Sequence, residues 1–261
     1  MANALLSFRD VVGVSQEGPL DPAFPVSFEL MQGEIGVIRG GIRASSLIRL
    51  AAGRGIVMKG AMSIMGNAVG AGDDPARYLS LNFTKKFRSS LGFCHGFGGL
   101  IANMSMVQNV MLPAHYHSGL KAIRPFYELA KERLREIGVP EEMWVLRPCD
   151  VPHEFQKRAL LARAVIHQPV ILLLDEPTNA IPWRETHRIV SWILKQKETG
   201  RGVLVATSND PFAGLIGDWM VDLDTNTIIN GNDAIQRHLG DLASRGSALL
   251  KKQLKAGDGN A

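Results

Sequence analysis

The sequence has few cysteines, no long apolar run and no strong excess of charge of one sign. Two cysteines in 261 residues exclude a disulfide-rich scaffold and favour a reducing compartment, although a single bridge between Cys94 and Cys149 stays open. No apolar run reaches the roughly 18 residues that cross a bilayer. The longest clean run, residues 170–174, has the length of a strand. The N-terminal MANALLSFRD lacks the basic region of a secretion signal.

The charges are nearly balanced and well mixed along the chain. There are 29 Lys and Arg against 25 Asp and Glu, which gives a net charge of +4. A nucleic-acid-binding surface usually needs a clustered basic stripe, so we expect no nucleic-acid partner. The apolar content of 46% and charged content of 21% are typical of a globular protein. The length predicts one large domain or two small lobes with a substantial buried core.

The hydrophobic pattern alternates between strand and helix along the chain. It predicts strands at residues 4–12, 24–30, 34–38, 55–65, 89–94 and 203–206, and a terminal hairpin at 219–223 and 226–229. It predicts helices at 45–52, 107–137, 154–167, 183–196 and 233–255. The first helix begins at two serines, which we interpret as N-caps.

The most informative strand is VILLLDEP, residues 170–177. A continuous apolar run that ends in two acids is typical of a strand buried on both faces of a parallel sheet. The two acids then lie at the carboxyl end of the strand, which is where open α/β sheets bind their ligands.

Several segments, taken in their order, resemble the ATP-binding cassette (ABC) family. The pattern QKRALLARA (156–164) resembles the family's helix after the signature loop, and ILLLDEPTNA (171–180) resembles the strand that follows it. The resemblance extends to GEIGVI (33–38), LIRLAAG (47–53), MVQNVMLP (106–113) and VLVATSND (203–210). The run QNVMLPAHYHSGL (108–120) is most similar to cassettes that serve phospholipid transporters of the MCE type.

The resemblance implies an α/β, P-loop NTPase-like cassette core with an antiparallel β lobe and a helical lobe. We expect one cassette domain over residues 1–261. The β lobe and the RecA-like core would take 1–99 and 166–232, the helical lobe 100–165, and a C-terminal helix and tail 233–261. The implied partners are a transmembrane permease, docked in a groove lined by residues 96–105, and a second cassette subunit, either a copy of this chain or an active paralogue. The implied location is the cytoplasmic side of the inner membrane.

A phosphate loop needs glycines whose backbone N–H groups surround the phosphates, a Lys for the β and γ phosphates and a hydroxyl for Mg²⁺. The positions that the resemblance assigns to this loop are Gly40, Gly41, Arg43, Ala44, Ser45 and Ser46. The Lys position falls on Ala44, the preceding glycine is replaced by Arg43, and the loop is about two residues short. Arg39 or Arg43 is a candidate replacement cation, with a planar fork in place of a point charge. The alternative is an ordinary strand-to-helix turn.

The acids after the buried strand match the family better. The resemblance assigns Asp175 to the residue that holds Mg²⁺, together with Ser45, and Glu176 to the general base that orients the attacking water. The alternative is a polar strand end inherited from an active ancestor.

The other functional positions of the family differ in this sequence. In the signature loop both glycines are missing, and His153 and Glu154 stand there, so Glu154 brings negative charge to the place of a phosphate. The position of the Q-loop glutamine falls on Gly96, the switch histidine on Ser208 and the D-loop aspartate on Pro182. Residues 10–16 offer no aromatic side chain for stacking on adenine.

These observations predict a pseudo-ATPase: a non-hydrolysing or weakly hydrolysing cassette subunit of a membrane transport complex, with lipid as a candidate cargo. ATP and Mg²⁺ are doubtful ligands on this interpretation. Two alternatives remain: an active transport ATPase with an unusual phosphate loop that uses Arg43, and a soluble interaction module with no permease.

Three further candidates have simpler interpretations. His115 and His117 share one face if the segment is a strand and then suggest a metal site, but solvated loop histidines are favoured. Cys94 beside His95 suggests an activated thiolate, but a buried strand cysteine is favoured. The tail 233–255 combines leucines with Lys and Arg and suggests a membrane or partner contact, but a packed helix with a solvated basic end is the commoner outcome.

Overall fold

The computed structural model describes residues 4–15, 18–19, 25–71, 85–118 and 123–257. Within them the chain forms two β-sheets and a set of helices that lie between and beside the sheets.

The first sheet is antiparallel and comes from the N-terminal part of the chain. Strand β1 (Leu6–Ser15) lies at its centre and pairs with β2 (Gly18–Pro19), β3 (Val26–Leu30) and β5 (Gly55–Ile64). Strand β6 (Asn67–Ala71) pairs with the outer side of β5.

The second sheet is parallel except for one edge strand, and its order is β11-β10-β4-β9-β8-β7. Its parallel strands are β4 (Ile35–Arg39), β7 (Leu91–Cys94), β8 (Ile171–Asp175), β9 (Gly202–Ala206) and β10 (Trp219–Asp222). The antiparallel edge strand β11 (Thr227–Asn230) forms a hairpin with β10.

The helices connect these strands. They are α1 (Ile42–Ala51), α2 (Lys85–Ser90), α3 (Met106–His117), α4 (Ile123–Glu136), α5 (His153–Val165), α6 (Thr186–Glu198), α7 (Asp210–Ile216) and α8 (Asn232–Gly257). Helices α3, α4 and α5 pack against one another. None of the helices within the described ranges combines the length and the apolar character needed to span a membrane.

The parallel sheet separates two hydrophobic cores. Along β8, Leu172 and Leu174 face the core shared with α3, α4 and α5, while Ile171 and Leu173 face the core shared with α1 and the antiparallel sheet. Because side chains alternate between the faces of a strand, a strand covered on both sides has to be apolar throughout. This confirms the prediction of a doubly buried strand, and the α/β fold class is likewise confirmed.

Most predicted strands are present with ends shifted by a few residues, and the terminal hairpin is confirmed. Two predictions were wrong in detail, and further elements were not predicted. Ser89 and Ser90 belong to α2, so β7 is shorter than predicted; β6 and α7 were not predicted; and the helical pattern 107–137 contains two helices, α3 and α4. Part of the connection, residues 119–122, lies outside the described residues.

A glycine in β4 allows a tryptophan to pack flat on the sheet. Gly36 pairs with Trp219 in the neighbouring strand, and a Cβ added at Gly36 would lie 2.2 Å from two atoms of the Trp219 ring. We expect Gly36→Ala to lower the free energy of unfolding by about 2 kcal/mol, because an overpacked ring has to move in a closed core. Urea denaturation followed by circular dichroism measures this change.

The matched control is Gly240→Ala in α8, where an added Cβ meets nothing within 4 Å. This substitution is expected to raise the free energy of unfolding by about 0.5–1 kcal/mol, because alanine is the better helix former. Equal effects at both positions would contradict the packing explanation.

Candidate functional site

The predicted site residues gather at the carboxyl edge of the parallel sheet. Strands β10, β4, β9 and β8 are neighbours, and they end at Asp222, Arg39, Ala206 and Asp175 respectively. Charged and polar side chains from the four following loops therefore meet along one edge, which is where α/β sheets bind ligands.

The turn between β4 and α1 contains two residues, Gly40 and Gly41, both with positive φ (139° and 54°). It is closed by bonds from the Arg43 N–H to the Gly40 carbonyl (3.2 Å) and from the Ser45 N–H to the Gly41 carbonyl (3.2 Å). The helix begins at Ile42, so the prediction that the serines cap it was wrong. The N-cap is Gly41, with no side-chain capping bond. Because β4 ends at Arg39 and α1 begins at Ile42, the connecting loop has only these two residues.

Ser45 and Ser46 instead lie inside the first turns of α1. Ser46 is fully buried, and the Ser45 hydroxyl donates a hydrogen bond to the Asp175 carboxylate (2.6 Å). Ala44, at the position that the resemblance assigns to Lys, is also buried among apolar side chains. That position therefore offers a methyl group and no cation.

The two arginines of the turn bond to carboxylates of this chain. The Arg39 guanidinium donates to Asp210 (2.8 Å), Asp222 (3.2 Å) and Asp224 (2.9 Å), and Arg43 donates to Asp224 (2.5 Å). Two cations therefore face three carboxylates, and the turn carries no surplus of positive charge.

Asp222 is the fully buried member of this network. Its carboxylate also accepts a hydrogen bond from His238 Nε2 (2.8 Å) and from the backbone N–H of Asp224 (2.9 Å). Burial opposes its ionisation, but the hydrogen bond from His238, the backbone donors and the Arg39 charge outweigh burial and hold the pKa of Asp222 below its usual value.

Asp175, at the end of β8, is buried as well and is held by α1. Besides the Ser45 hydroxyl, its carboxylate contacts the Arg49 guanidinium at 3.3 Å. Ser45 and Arg49 are four residues apart on α1 and therefore share one face of the helix.

Lys157 crosses beneath Asp175 from α5. The side chain is buried, and its ammonium donates to the carbonyls of His95 (2.7 Å), Gly96 (3.2 Å) and Asp175 (3.1 Å). This cation fastens the loop after β7 to the end of β8. It also holds Gly96 so close that a Cβ there would lie 3.1 Å from the Asp175 carboxylate, so a larger side chain at this Q-loop position requires Asp175 to move.

Glu176 is turned toward the loop after β9. Its carboxylate accepts hydrogen bonds from the Ser208 backbone N–H (2.8 Å) and the Thr207 hydroxyl (3.2 Å), and its own N–H donates to the Ala206 carbonyl (2.9 Å). Its φ of 43° is unusual for a residue with a side chain, and these bonds stabilise it. Ser208 contributes its backbone, and not its hydroxyl, to this contact.

The signature positions lie at the start of α5. His153 is the first residue of the helix and Glu154 the second, and the N-cap is Pro152 with no side-chain capping bond. Glu154 is the acidic residue in the first turn, where it complements the positive end of the helix dipole. The helix start thus carries negative charge of its own. Near the D-loop position Pro182, the Trp183 side chain is 80% exposed.

The structure also places the three further sequence candidates, which are Cys94, the pair His115 and His117, and the C-terminal tail. Cys94 is buried in β7, and burial raises the pKa of its thiol, so the interpretation as a structural cysteine is confirmed. His115 and His117 lie in the last turn of α3, half-buried, so both the strand and the solvated loop were wrong predictions. The tail forms α8 as predicted, but the side chains of its residues 248–257 are not described.

Sequence reasoning missed several residues that shape this site, namely Arg49, Asp210, Asp222 and Asp224. Their partners are distant along the chain: Arg39 and Asp222 are 183 residues apart. One signal was present in the hairpin DLDT, where one aspartate ends a buried strand and a second follows it, as Asp175 ends β8 and Glu176 follows it.

The chain was compared with family models, with curated proteins and with solved structures. No family model matches the chain. The lipoprotein-releasing system ATP-binding protein LolD of Gluconobacter oxydans is 31% identical over 203 residues, which is 76% of this chain and 84% of that protein. An ABC transporter ATP-binding protein of Thermotoga maritima is 30% identical over 186 residues, 70% of this chain and 76% of that one.

The chain also matches part of a larger protein. The macrolide export ATP-binding/permease protein MacB of Chlorobium luteolum is 30% identical over 190 residues, 72% of this chain. The chain spans 27% of that protein, and about half (54%) of LolD from Aquifex aeolicus.

The solved structures agree in fold. The ATP-binding cassette MJ0796, solved as a dimer in a post-hydrolysis state with ADP and Pi, superimposes with a TM-score of 0.71 at 21% identity and covers 84% of this chain and 94% of its own. The fold is therefore that of a nucleotide-binding cassette. Together with the relatives above, it shows that the chain belongs to the family of ABC transporter ATP-binding proteins.

The residues at the site do not fit a magnesium–nucleotide complex in the arrangement described. Ser45 and Arg49 contact the carboxylate that would hold Mg²⁺, and the two arginines of the turn are bonded to aspartates. The arrangement can hold the sheet edge together through internal ion pairs.

Asp222 gives a direct test of the ion-pair network. Asp222→Asn is expected to lower the free energy of unfolding by about 3 kcal/mol at pH 7, because Arg39 and His238 lose a buried charged partner. The control Asp224→Asn, whose side chain is 49% exposed, should cost less than about 1 kcal/mol.

The difference in unfolding free energy between the wild type and Asp222→Asn should depend on pH. Because the folded-state pKa of Asp222 lies below its unfolded value of about 3.9, its contribution is complete above that pH and is lost as the pH falls through the depressed pKa. The difference in stability between wild type and Asp222→Asn should therefore shrink below about pH 4. Urea denaturation at a series of pH values measures it, and a difference that grows with acid would contradict the assignment.

Proposed function

We propose that this chain is a cassette subunit of a membrane transport complex that hydrolyses ATP weakly or not at all and serves as a scaffold or regulator. The observation that carries the proposal is the ion-pair network at the turn after β4, in which the arginines of the expected phosphate loop are bonded to aspartates of the chain itself. Binding a permease would then be the retained activity of the fold.

Phosphate binding is disfavoured by charge and by length. A triphosphate brings several negative charges and has to displace Asp224 from Arg43 and Arg39 before either arginine can reach it. The two-residue turn presents fewer backbone N–H groups than the six-residue loop of the P-loop pattern. Ala44 supplies no charge in compensation.

Mg²⁺ binding is disfavoured at Asp175. The Arg49 guanidinium already neutralises this carboxylate, so a divalent cation would have to approach another cation or displace it. Ser45, the expected second ligand, would also have to give up its hydrogen bond to the same carboxylate.

Water activation is disfavoured at Glu176, because the Thr207 hydroxyl and the Ser208 N–H already hold its carboxylate. The signature side is affected as well. Glu154 would face a nucleotide bound to the second cassette, and its negative charge opposes phosphate there. In a complex with an active paralogue, both nucleotide sites would therefore be weakened.

A groove beside the loop at residues 96–105 supports the proposed contact with a permease. A cavity of about 290 Å³ lies between this loop and α5, lined in part by Gly96, Phe97, Leu100 and Leu160. The Phe97 side chain is 82% exposed at its rim. An apolar ring presented beside a groove is typical of a protein-binding surface, and it favours a permease segment with an apolar residue at its tip.

Two finer assignments belong to the same proposal. Lipid is the cargo class favoured by the run at 108–120, and LolD, by its name, belongs to a lipoprotein-releasing system. The second cassette of the complex is either another copy of this chain or an active paralogue, and the location is the cytoplasmic side of the inner membrane.

The first test is equilibrium titration of the purified chain with ATP, with and without Mg²⁺, together with a turnover assay. We expect no saturable binding at millimolar ATP and no turnover above background, because the phosphate and metal ligands are bonded internally. Asp175→Asn and Glu176→Gln are the control variants. A normal turnover number that Glu176→Gln abolishes would overturn the proposal, and its loss in Arg43→Ala as well would establish the active ATPase with an unusual loop instead.

The second test separates a permease-bound subunit from a soluble interaction module. In cells that express the chain from its own locus, we expect part of the protein to sediment with membranes, and Phe97→Asp to reduce that fraction several-fold because it places charge at the groove. The matched control is Tyr116→Asp, an exposed aromatic side chain on α3. Recovery wholly without membranes in the wild type would favour the soluble module.

A further inference from the structure

An asparagine of α3 is fully buried, and its amide bonds to a single short segment. Asn109 has no exposed surface. Its side chain offers two N–H donors and an acceptor oxygen, and leaving these unpaired in the interior would be unfavourable. All of its hydrogen bonds go to residues 101–105, which join the loop after β7 to α3.

The Asn109 amide takes the place of a backbone partner for this segment. It exchanges two hydrogen bonds with Ile101, as a paired strand residue would: Oδ1 accepts from the Ile101 N–H (2.7 Å), and Nδ2 donates to the Ile101 carbonyl (3.0 Å). Nδ2 also donates to the carbonyls of Met104 (3.1 Å) and Ser105 (3.1 Å). The side chain therefore satisfies backbone groups that no helix or strand satisfies here.

Two side chains of α5 hold the preceding part of the same loop. The Lys157 ammonium donates to the Gly96 carbonyl (3.2 Å), and the Arg163 guanidinium donates to the Gly99 carbonyl (2.6 Å). Together with Asn109, they attach the loop at residues 96–105 to α5 and α3 at several successive carbonyls. The conformation of this irregular loop is therefore set largely by side chains of the two helices.

Between these attachments the loop exposes apolar side chains. Phe97 is 82% exposed and Ile101 is 40% exposed, while Leu100 between them packs partly against the core. Exposed apolar side chains on a surface loop favour contact with another protein. A loop already held in one conformation also avoids the entropy cost of ordering when it binds.

We propose that Asn109 is a positioning residue for the contact with the permease: it holds the loop at residues 96–105 in the binding conformation before the permease arrives. This inference rests on the proposed function, because it concerns the surface that the permease would meet. Asn109 is buried, so it acts through the positions of Phe97 and Ile101.

The test is binding of the purified full chain to inside-out membrane vesicles from cells in which the gene for the chain is deleted. The wild type is expected to bind saturably. Asn109→Ala should weaken binding at least fivefold, because only a fraction of the molecules then has the loop in the binding conformation. The apparent Kd rises by the inverse of that fraction.

The binding rates distinguish a positioning residue from a contact residue. Asn109→Ala is expected to slow association and to leave dissociation unchanged, since the bound loop makes the same contacts as in the wild type. Phe97→Asp should speed dissociation instead, because the loss of an interface contact acts mainly on that rate. Biolayer interferometry on immobilised vesicles measures both rates. Faster dissociation with unchanged association in Asn109→Ala would overturn the proposal.

The matched control is Gly36→Ala, which disturbs the packing of Trp219 and leaves the loop untouched. It should bind like the wild type, and weakening equal to that of Asn109→Ala would overturn the proposal, because a general loss of stability would explain both. Wild-type binding by Asn109→Ala beside reduced binding by Phe97→Asp would overturn this inference and leave the proposed function standing. A wild type that does not bind the vesicles contradicts both.

If Asn109→Ala does not fold, hydrogen exchange of the wild type decides the question. The Ile101 N–H is bonded to Asn109, whereas the N–H groups of Ala102 and Asn103 make no hydrogen bond to another described residue. After correction for intrinsic rates, Ile101 should exchange at least tenfold more slowly than either neighbour before vesicles are added. Equal exchange, or protection of Ile101 that appears only with vesicles, would mean that Asn109 does not order the loop.

Discussion

Two carboxylates buried at the carboxyl edge of the parallel sheet have to be compensated by cations, and this requirement organises the site. The charge of Asp222 is compensated by Arg39 and that of Asp175 by Arg49, while His238 hydrogen-bonds the Asp222 carboxylate and the Lys157 ammonium donates to the Asp175 carbonyl. Because unpaired buried charges are very unfavourable, these partners fix how the turn, α1, α5 and α8 meet the strand ends. Among the described residues, both carboxylates are therefore paired with cations of the same chain.

The doubly buried strand β8 was predictable because its signal is local. Five consecutive apolar residues followed by two acids have few other interpretations. The shorter apolar run of β9, Val203–Ala206, was also recognisable from the local sequence. The start of α1 was predicted three residues late, because the serines resemble caps. The burial of Ser46 and the bond from Ser45 to Asp175 come from packing against β8, which no local pattern contains.

The sequence predicted where the candidate site lies better than it predicted which ion pairs its residues form. The strand pattern placed Asp175 and Glu176 at the carboxyl end of β8, and the structure brings Gly96, the expected Q-loop position, close to Asp175. It did not reveal that Arg43 bonds to Asp224, because the two residues are 181 positions apart and nothing in the local sequence pairs them. The neutralisation of a binding loop by its own neighbours is a tertiary effect, and only the sheet order β10-β4 makes it visible.

Helix α8 is long and contacts the rest of the described chain mainly through its first turns. It packs on the body through Ile235 and Leu239, and His238 ties it to Asp222, but from Ala243 to Ser247 every residue is exposed. At 1.5 Å per residue, its end at Gly257 is carried roughly 20 Å beyond Leu242. The helix is thus held at its start, beside the ion-pair network, and extends away from the body beyond that point. Because the contacts of α8 lie in its first turns, any change in its direction at Asp222 would move its C-terminal end farther than its start.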